Sequence, residues 1–252
     1  MTSLIAPPPP PTIRPRSSAR AAATTLELPT VSFFGRTLSE YARFFALDLE
    51  ALRGRDVLDV AAGPSSFTAE ACARRIDAVA IDPFYGSPVE GLSAQIDADY
   101  SRMLAQMEAK PQLFRLRAFP SLAAAAADRR LAAQRFLADY STHYAHGRYV
   151  CGALPHLPFF DRTFDVVLCA HLLFVYAARF DFEWHVEACR ELVRVSAGEV
   201  RIHPLCGADG RPYPKLAALR RELREHGIES AVLNVDYEFF AGSTSTLVLR
   251  RA

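Results

Sequence analysis

Apolar positions recur along this chain first at helical and then at strand spacing. Within 37–54, Leu38, Tyr41, Phe45, Leu49 and Leu52 fall three and four apart, which predicts an amphipathic helix ending near Gly54. Residues 57–60 form a short apolar strand interrupted only by Asp59. A helix through 66–75 follows, then a strand over 78–82 that Pro83 stops. Residues 84–146 are helical in composition, in two segments set apart by Pro111 and Pro120. That is too long for an ordinary connection between neighbouring strands, so it reads as a helical insertion over about 84–146. The alternation then resumes. Strands at 148–153 and 166–170, a helix at 183–195, a strand at 198–205 and a helix at 213–227 closing on Gly227 are predicted. Two last strands, 230–240 and 246–251, joined by a Gly/Ser turn, read as a hairpin. Strands alternating with helices predict a doubly wound α/β fold, mostly parallel and covered on both faces, with an antiparallel hairpin at its end.

The first thirty residues break this pattern. They carry five consecutive prolines, Arg14, Arg16 and Arg20, and a single acid, and read as a disordered, proline-rich tail before a domain spanning 31–252. The whole chain has 252 residues, 50 % hydrophobic and 23 % charged, with a net charge of +1, the balance of a globular protein. A near-neutral chain argues against a large nucleic-acid partner. No apolar run approaches the roughly 20 residues of a membrane span. The five cysteines, Cys72, Cys151, Cys169, Cys189 and Cys206, are scattered without metal spacing, which fits a reducing cytoplasm and no bound metal.

Candidate chemistry gathers at 55–71, "RDVLDVAAGPSSFTAEA". An acid near the end of a buried strand is followed by small residues at Ala61, Ala62, Gly63, Ser65 and Ser66, so something lies close to that backbone. In an open α/β sheet, ligands bind beyond the carboxyl ends of the strands, and the first strand-to-helix turn offers free N–H groups. Asp82 ends the next strand, about 20 residues later, where a carboxylate can accept from ribose hydroxyls. The G-x-G-x-x-G of dinucleotide folds and the GK[ST] of phosphate loops are both absent.

The segment Asp59-Val60-Ala61-Ala62-Gly63-Pro64-Ser65 resembles the D-x-G-x-G-x-G motif of class I S-adenosylmethionine-dependent methyltransferases, with Ala61 and Ser65 in place of the outer glycines. Leu157-Pro158-Phe159, Asp161 and Phe164-Asp165-Val166-Val167 resemble that family's "LPF-x-D-x-x-FD-V-V" segment. "EACRELVRVSAGEVRI" resembles its helix-to-strand passage ending at Gly198, and "FFGRTLSEY" resembles a little-characterised bacterial branch of the superfamily. The resemblance implies a Rossmann-like sheet of seven strands, S-adenosylmethionine as cofactor and methyl transfer to a small-molecule acceptor. It implies that Asp59 orients the methionine ammonium, that Asp82, with Pro83 beside it, holds the ribose, and that Ala61, Gly63, Pro64 and Ser65 let the cofactor approach. Ala153, where the family often has an acid, and Leu154 would meet the adenine; Ala170 would wall the site at the end of the fourth strand.

Arg36 could hold the methionine carboxylate through its forked donors, or lie at the surface. His171 is a candidate general base or a pocket-wall histidine. Phe174 and Tyr176 suit either a substrate pocket or the core. Trp184, His185 and His203 are read as packing, and Lys215, Arg220, Arg221 and Arg224 as a solvated helix face. Two other readings stay open: a non-catalytic S-adenosylmethionine- or nucleoside-binding protein of the same fold, and a nucleotide-dependent oxidoreductase. The sequence does not indicate the oligomeric state.

Overall fold

The computed structural model describes residues 25–252. The expectation of a disordered tail falls, as far as residue 24, outside the described residues. From Thr25 to Thr30 it is corrected: Leu26 is buried and its N–H donates to the Ala208 carbonyl at 2.9 Å, while Lys110 Nζ donates to the Thr25 carbonyl at 2.8 Å. Two leucines, Leu26 and Leu28, give this short stretch apolar surface to bury, so the packed chain begins before Val31.

Seven strands build one sheet: β1 (Asp56–Val60), β2 (Asp77–Asp82), β3 (Tyr149–Cys151), β4 (Phe164–Ala170), β5 (Ser196–His203), β6 (Ile228–Asn234) and β7 (Ser245–Arg251). Their order is β3-β2-β1-β4-β5-β7-β6. The first five pair in parallel and β7 runs antiparallel to both β5 and β6. Central strands covered on both faces must be apolar throughout, and Val57 to Val60 are all buried. Chain order reverses direction between β1 and β4, so the switch point lies beyond Val60 and Ala170.

The helices are α1 (Leu38–Phe44), α2 (Phe67–Cys72), α3 (Val89–Ala109), α4 (Leu122–His143), α5 (Phe182–Val195) and α6 (Leu216–Glu225). Between β2 and β3, α3 and α4 pack on each other, α3 burying Leu92, Ile96, Tyr100, Met103 and Met107 along one stripe.

Two expectations from periodicity are corrected. The first helix does not reach Gly54 but stops at Phe44, because Ala46 takes a left-handed φ of 51° and Arg201 Nη1 donates to the Phe45 and Ala46 carbonyls at 2.5 and 2.8 Å. The penultimate strand ends at Asn234, not at residue 240. Residues 235–244 form a loop that turns Tyr237, Phe239 and Phe240 inward, where all three are buried. No helix among the described residues is long and apolar enough to cross a membrane.

Candidate functional site

Beyond β1, Ala61 and Gly63 both adopt φ of 55°. That conformation favours glycine, and here an alanine bears it at the first position. Gly63 is held from both sides: its N–H donates to Asp82 Oδ2 at 3.0 Å and its carbonyl accepts from Tyr85 OH at 2.6 Å. The backbone that approaches the small residues turns out to be the chain's own. A Cβ built on Gly35 would stand 2.0 Å from the Pro64 carbonyl oxygen and 2.7 Å from Ser65 N. The Arg36 carbonyl accepts from Ser65 Oγ at 2.9 Å and from Ser66 N–H at 3.0 Å. Residues 31–36 thus form a strap across the carboxyl ends of β1 and β4, pinned by Phe33 N–H on Asp99 at 2.6 Å and Ser32 N–H on Tyr176 OH at 2.8 Å.

Two cavities lie under the strap. One, of about 90 Å³, is walled by Ala61, Gly63, Asp82, Arg36, Ala170 and His171 and extends to Met103, Met107, Phe114 and Phe240. The other, of about 220 Å³, lies between Asp82, Pro83, Phe84, Ala153, Leu154 and Trp184. Val31, Ser32, Ala61, Asp82 and Leu172 belong to both, so the two are lobes of one cleft.

Asp82 stands on the seam. Its Oδ1 accepts from Phe84 N–H at 3.0 Å and its Oδ2 from Gly63 N–H. Burial pushes its carboxyl up to about 6 against the pull of those two hydrogen bonds. Each oxygen keeps a further lone pair for a ligand.

Asp59 is fully enclosed and belongs to neither cavity. Tyr41 OH donates to its Oδ1 at 3.1 Å, and the Tyr41 ring stacks on Phe67 at 4.6 Å, closing the carboxylate off. Burial raises its carboxyl well above the usual range, and Asp82 adds to the rise. Pro64 and Ser65 are likewise covered, by Gly35 and Arg36. Asp59, Pro64 and Ser65, expected beside the cofactor, do not line the cleft: α1 and the strap occupy that side of the turn. The other candidates, Arg36, Ala61, Gly63, Asp82, Pro83, Ala153, Leu154, Ala170 and His171, come together around the cleft.

Arg36 Nη1 donates to the Phe34 and Gly35 carbonyls at 2.9 and 3.4 Å, while its buried Nε has no partner. Burial, then the nearby Arg129 guanidinium, lower its pKa. Arg36 has no ion pair among the described residues, whereas Arg129, in α4, pairs with Glu40. Tyr237 OH also donates to Glu40, and the Arg129 guanidinium lies over the rings of Phe239 and Phe119 at 4.7 and 5.2 Å.

His171 follows β4 with φ of 55°, a left-handed position that costs a non-glycine residue free energy and points to a local constraint. Its Nδ1 is buried without a partner. Burial, then Arg36 and His203, push its pKa well below the usual range, so the imidazole is neutral. His203 stands 5.4 Å away, ring to ring. Thr246 gives its hydroxyl proton to the Phe44 carbonyl at 2.5 Å, so in the 3.0 Å contact His203 donates from Nδ1. His203 Nε2 is left a bare acceptor, and burial holds the ring's pKa at about 3.

Sequence reasoning missed the strap, the aromatic walls Phe84 and Phe180, and Trp184 as a wall residue. Phe180 and Trp184 stack at 3.8 Å, a spacing of four residues that is visible in the sequence but gives no direction. His185 is a buried packing residue, as expected, and of the two places open to Phe174 it takes the core. Among the described residues no cluster of His, Cys, Asp or Glu could hold a metal ion.

No family model matches the chain. It is 29 % identical over 227 residues to an uncharacterized protein of Methanocaldococcus jannaschii, covering 90 % of this chain and 99 % of that one. Among solved structures it is similar to a TehB-like SAM-dependent methyltransferase from Corynebacterium glutamicum, at 14 % identity and TM-score 0.43 over 81 % of this chain and 85 % of that one. It is also similar to a magnesium protoporphyrin IX methyltransferase from Synechocystis with bound SAM, at 16 % identity and TM-score 0.43 over 81 % and 74 %. The strand order, with β7 inserted antiparallel between β5 and β6, is the arrangement of the Rossmann-like class I methyltransferases, and the chain has that fold.

Proposed function

We propose that the protein transfers a methyl group from S-adenosylmethionine to a small-molecule acceptor. The observation that carries this reading is the cleft at the switch point, with the Asp82 carboxylate on its seam and small residues on its floor. The residues fit the cofactor. Asp82 has lone pairs for ribose hydroxyls, and the 220 Å³ lobe offers Pro83, Phe84, Ala153, Leu154 and Trp184 as apolar walls for adenine. Arg36, half-buried with an orphaned Nε, supplies the cation a methionine carboxylate needs. Ala61, Gly63 and Ala170 leave room beside the strand ends. Asp59 acts from beneath, bracing the turn through Tyr41.

When bound, the cofactor supplies an electrophilic methyl carbon on a sulfonium, so the acceptor's lone pair displaces a neutral thioether and the acceptor's proton needs a base. His171, neutral and with Nδ1 unpartnered, can take that proton; its depressed pKa is no obstacle, because a methylated oxygen or nitrogen is far more acidic than the free acceptor. The rest of the catalysis is positioning. The strap, α3 and α4 form the lid that excludes water and selects the acceptor.

Calorimetric titration with S-adenosylmethionine and S-adenosylhomocysteine tests the reading, with Asp82→Ala as the comparison. Micromolar binding that falls by about tenfold or more in the variant is expected for loss of hydrogen bonds to a charged acceptor. No binding of either ligand by the wild-type protein rules the reading out.

A further inference from the structure

The wall of the 90 Å³ lobe carries five polar side chains, Ser32, Arg36, Asp82, His171 and Tyr176. Asp82 and His171 mark its cofactor end, at the ends of β2 and β4. The far end is built from Leu28, ahead of the strap, Met103 and Met107 of α3, Phe114, and Phe239 and Phe240 of the β6–β7 loop. These apolar walls are fastened by main-chain hydrogen bonds. Arg115 N–H donates to the Phe239 carbonyl at 2.7 Å and Ala241 N–H to the Leu113 carbonyl at 2.8 Å, so the segment after α3 and the β6–β7 loop are stitched together. The Phe114 ring meets those of Phe239 and Phe240 at 5.6 and 5.7 Å.

A charge carried to that far end would lose its water, and none of the side chains named there carries a charge to replace it. A hydroxyl at the near end would stand against His171, which walls the chamber there. The chamber is small: a dry apolar cavity of about 150 Å³ is what holds a benzene ring elsewhere. At about 90 Å³, this one admits a single ring only if its walls give a little, and two of them are methionines, the most adaptable of apolar side chains.

We propose that the methyl acceptor is a compact, uncharged molecule with one hydroxyl, a single ring or a short branched chain, its hydroxyl at His171 and its apolar body between Met103, Met107, Phe114 and Phe240. The assignment rests on the cofactor reading above and adds the chemical class of the second substrate.

The chain has three methionines, and two of them line the chamber, so a protein labelled with ¹³C at the methionine methyls reports on it directly. The labelled protein, saturated with S-adenosylhomocysteine, is titrated with p-cresol, toluene and 4-hydroxybenzoate. The signals of Met103 and Met107, assigned with Met103→Leu and Met107→Leu, are expected to shift with p-cresol. Toluene, lacking the hydroxyl, should bind about threefold to tenfold more weakly. 4-Hydroxybenzoate, which puts a carboxylate at the far end, should bind at least about tenfold more weakly. Binding of 4-hydroxybenzoate as tight as p-cresol overturns the proposal, as does silence of both methionine signals in a protein that calorimetry shows to bind S-adenosylhomocysteine. Absence of S-adenosylhomocysteine binding overturns the cofactor reading instead, and with it the assignment of this chamber to an acceptor.

Discussion

Of the two carboxylates near the ends of the first strands, Asp82 meets the cleft and Asp59 does not, although the sequence places both beside the same turn. The difference is which neighbours cover them. Asp82 ends its strand and bonds to backbone N–H groups of Gly63 and Phe84, leaving its outer lone pairs toward the cavity. Asp59 lies one residue short of the end of β1, under Tyr41. Spacing along the chain found the first, but nothing in the spacing shows that a tyrosine eighteen residues earlier seals the second. The raised pKa of Asp82, about 6, gives its role a pH signature. Only the ionised carboxylate accepts from both ribose hydroxyls, so affinity for S-adenosylhomocysteine should rise with pH through 6 and level off above 7. At pH 5 about one molecule in ten carries the charge, and affinity should be about tenfold weaker than at pH 7. In Asp82→Asn the same titration should be flat in pH and weak throughout. A flat profile in the wild-type protein would show that Asp82 does not meet the ligand as an ionised acceptor.

Elements were more legible than residues where burial is two-sided. The strands β1, β2 and β4 were visible as apolar runs, and α3 as a helical stripe, because a buried strand or helix face leaves few polar positions to confuse the period. What periodicity could not show was where α1 and β6 stop. Both ends are set by partners distant in sequence: Arg201 takes the last carbonyls after α1, and the loop after β6 is drawn inward by Glu40 and Arg129. That last cluster ties α1, α4 and the β6–β7 loop together. Arg129 is 1 % exposed and Glu40 4 %, so removing either charge alone strands the other in the interior. Arg129→Met is expected to cost about 3–5 kcal/mol in urea unfolding. The double variant Glu40→Leu/Arg129→Met should recover much of that, since it strands no charge. A loss below about 1 kcal/mol in the single variant would mean the pair is solvated in solution.

The whole molecule is organised around a strap that the sequence did not announce. Residues 31–36 lack apolar periodicity, and their contacts, to Asp99, Tyr176 and the Pro64 carbonyl, reach residues between 29 and 144 positions away. Through Val31 and Ser32 the strap walls both lobes of the cleft, so a ligand that fills either lobe is held by it. Gly35 is the residue that lets it lie so close. A methyl group there would meet main-chain atoms of Pro64 at 2.0 and 2.3 Å, atoms that no side-chain rotation can move aside. Gly35→Ala should therefore lift the strap while leaving the sheet intact, since the strap adds no strand to it. Trypsin gives a direct reading, because the peptide bond after Arg36 is shielded as long as the Arg36 carbonyl accepts from Ser65 and Ser66. Cleavage at Arg36 should be much faster in the variant, and saturating S-adenosylhomocysteine should slow it in the wild-type protein by closing the strap on its ligand. The same variant should release S-adenosylhomocysteine faster, with circular dichroism unchanged. If Gly35→Ala leaves both cleavage and ligand release at wild-type rates, the strap does not hold the ligand, and entry to the cleft must be governed from the α3–α4 side.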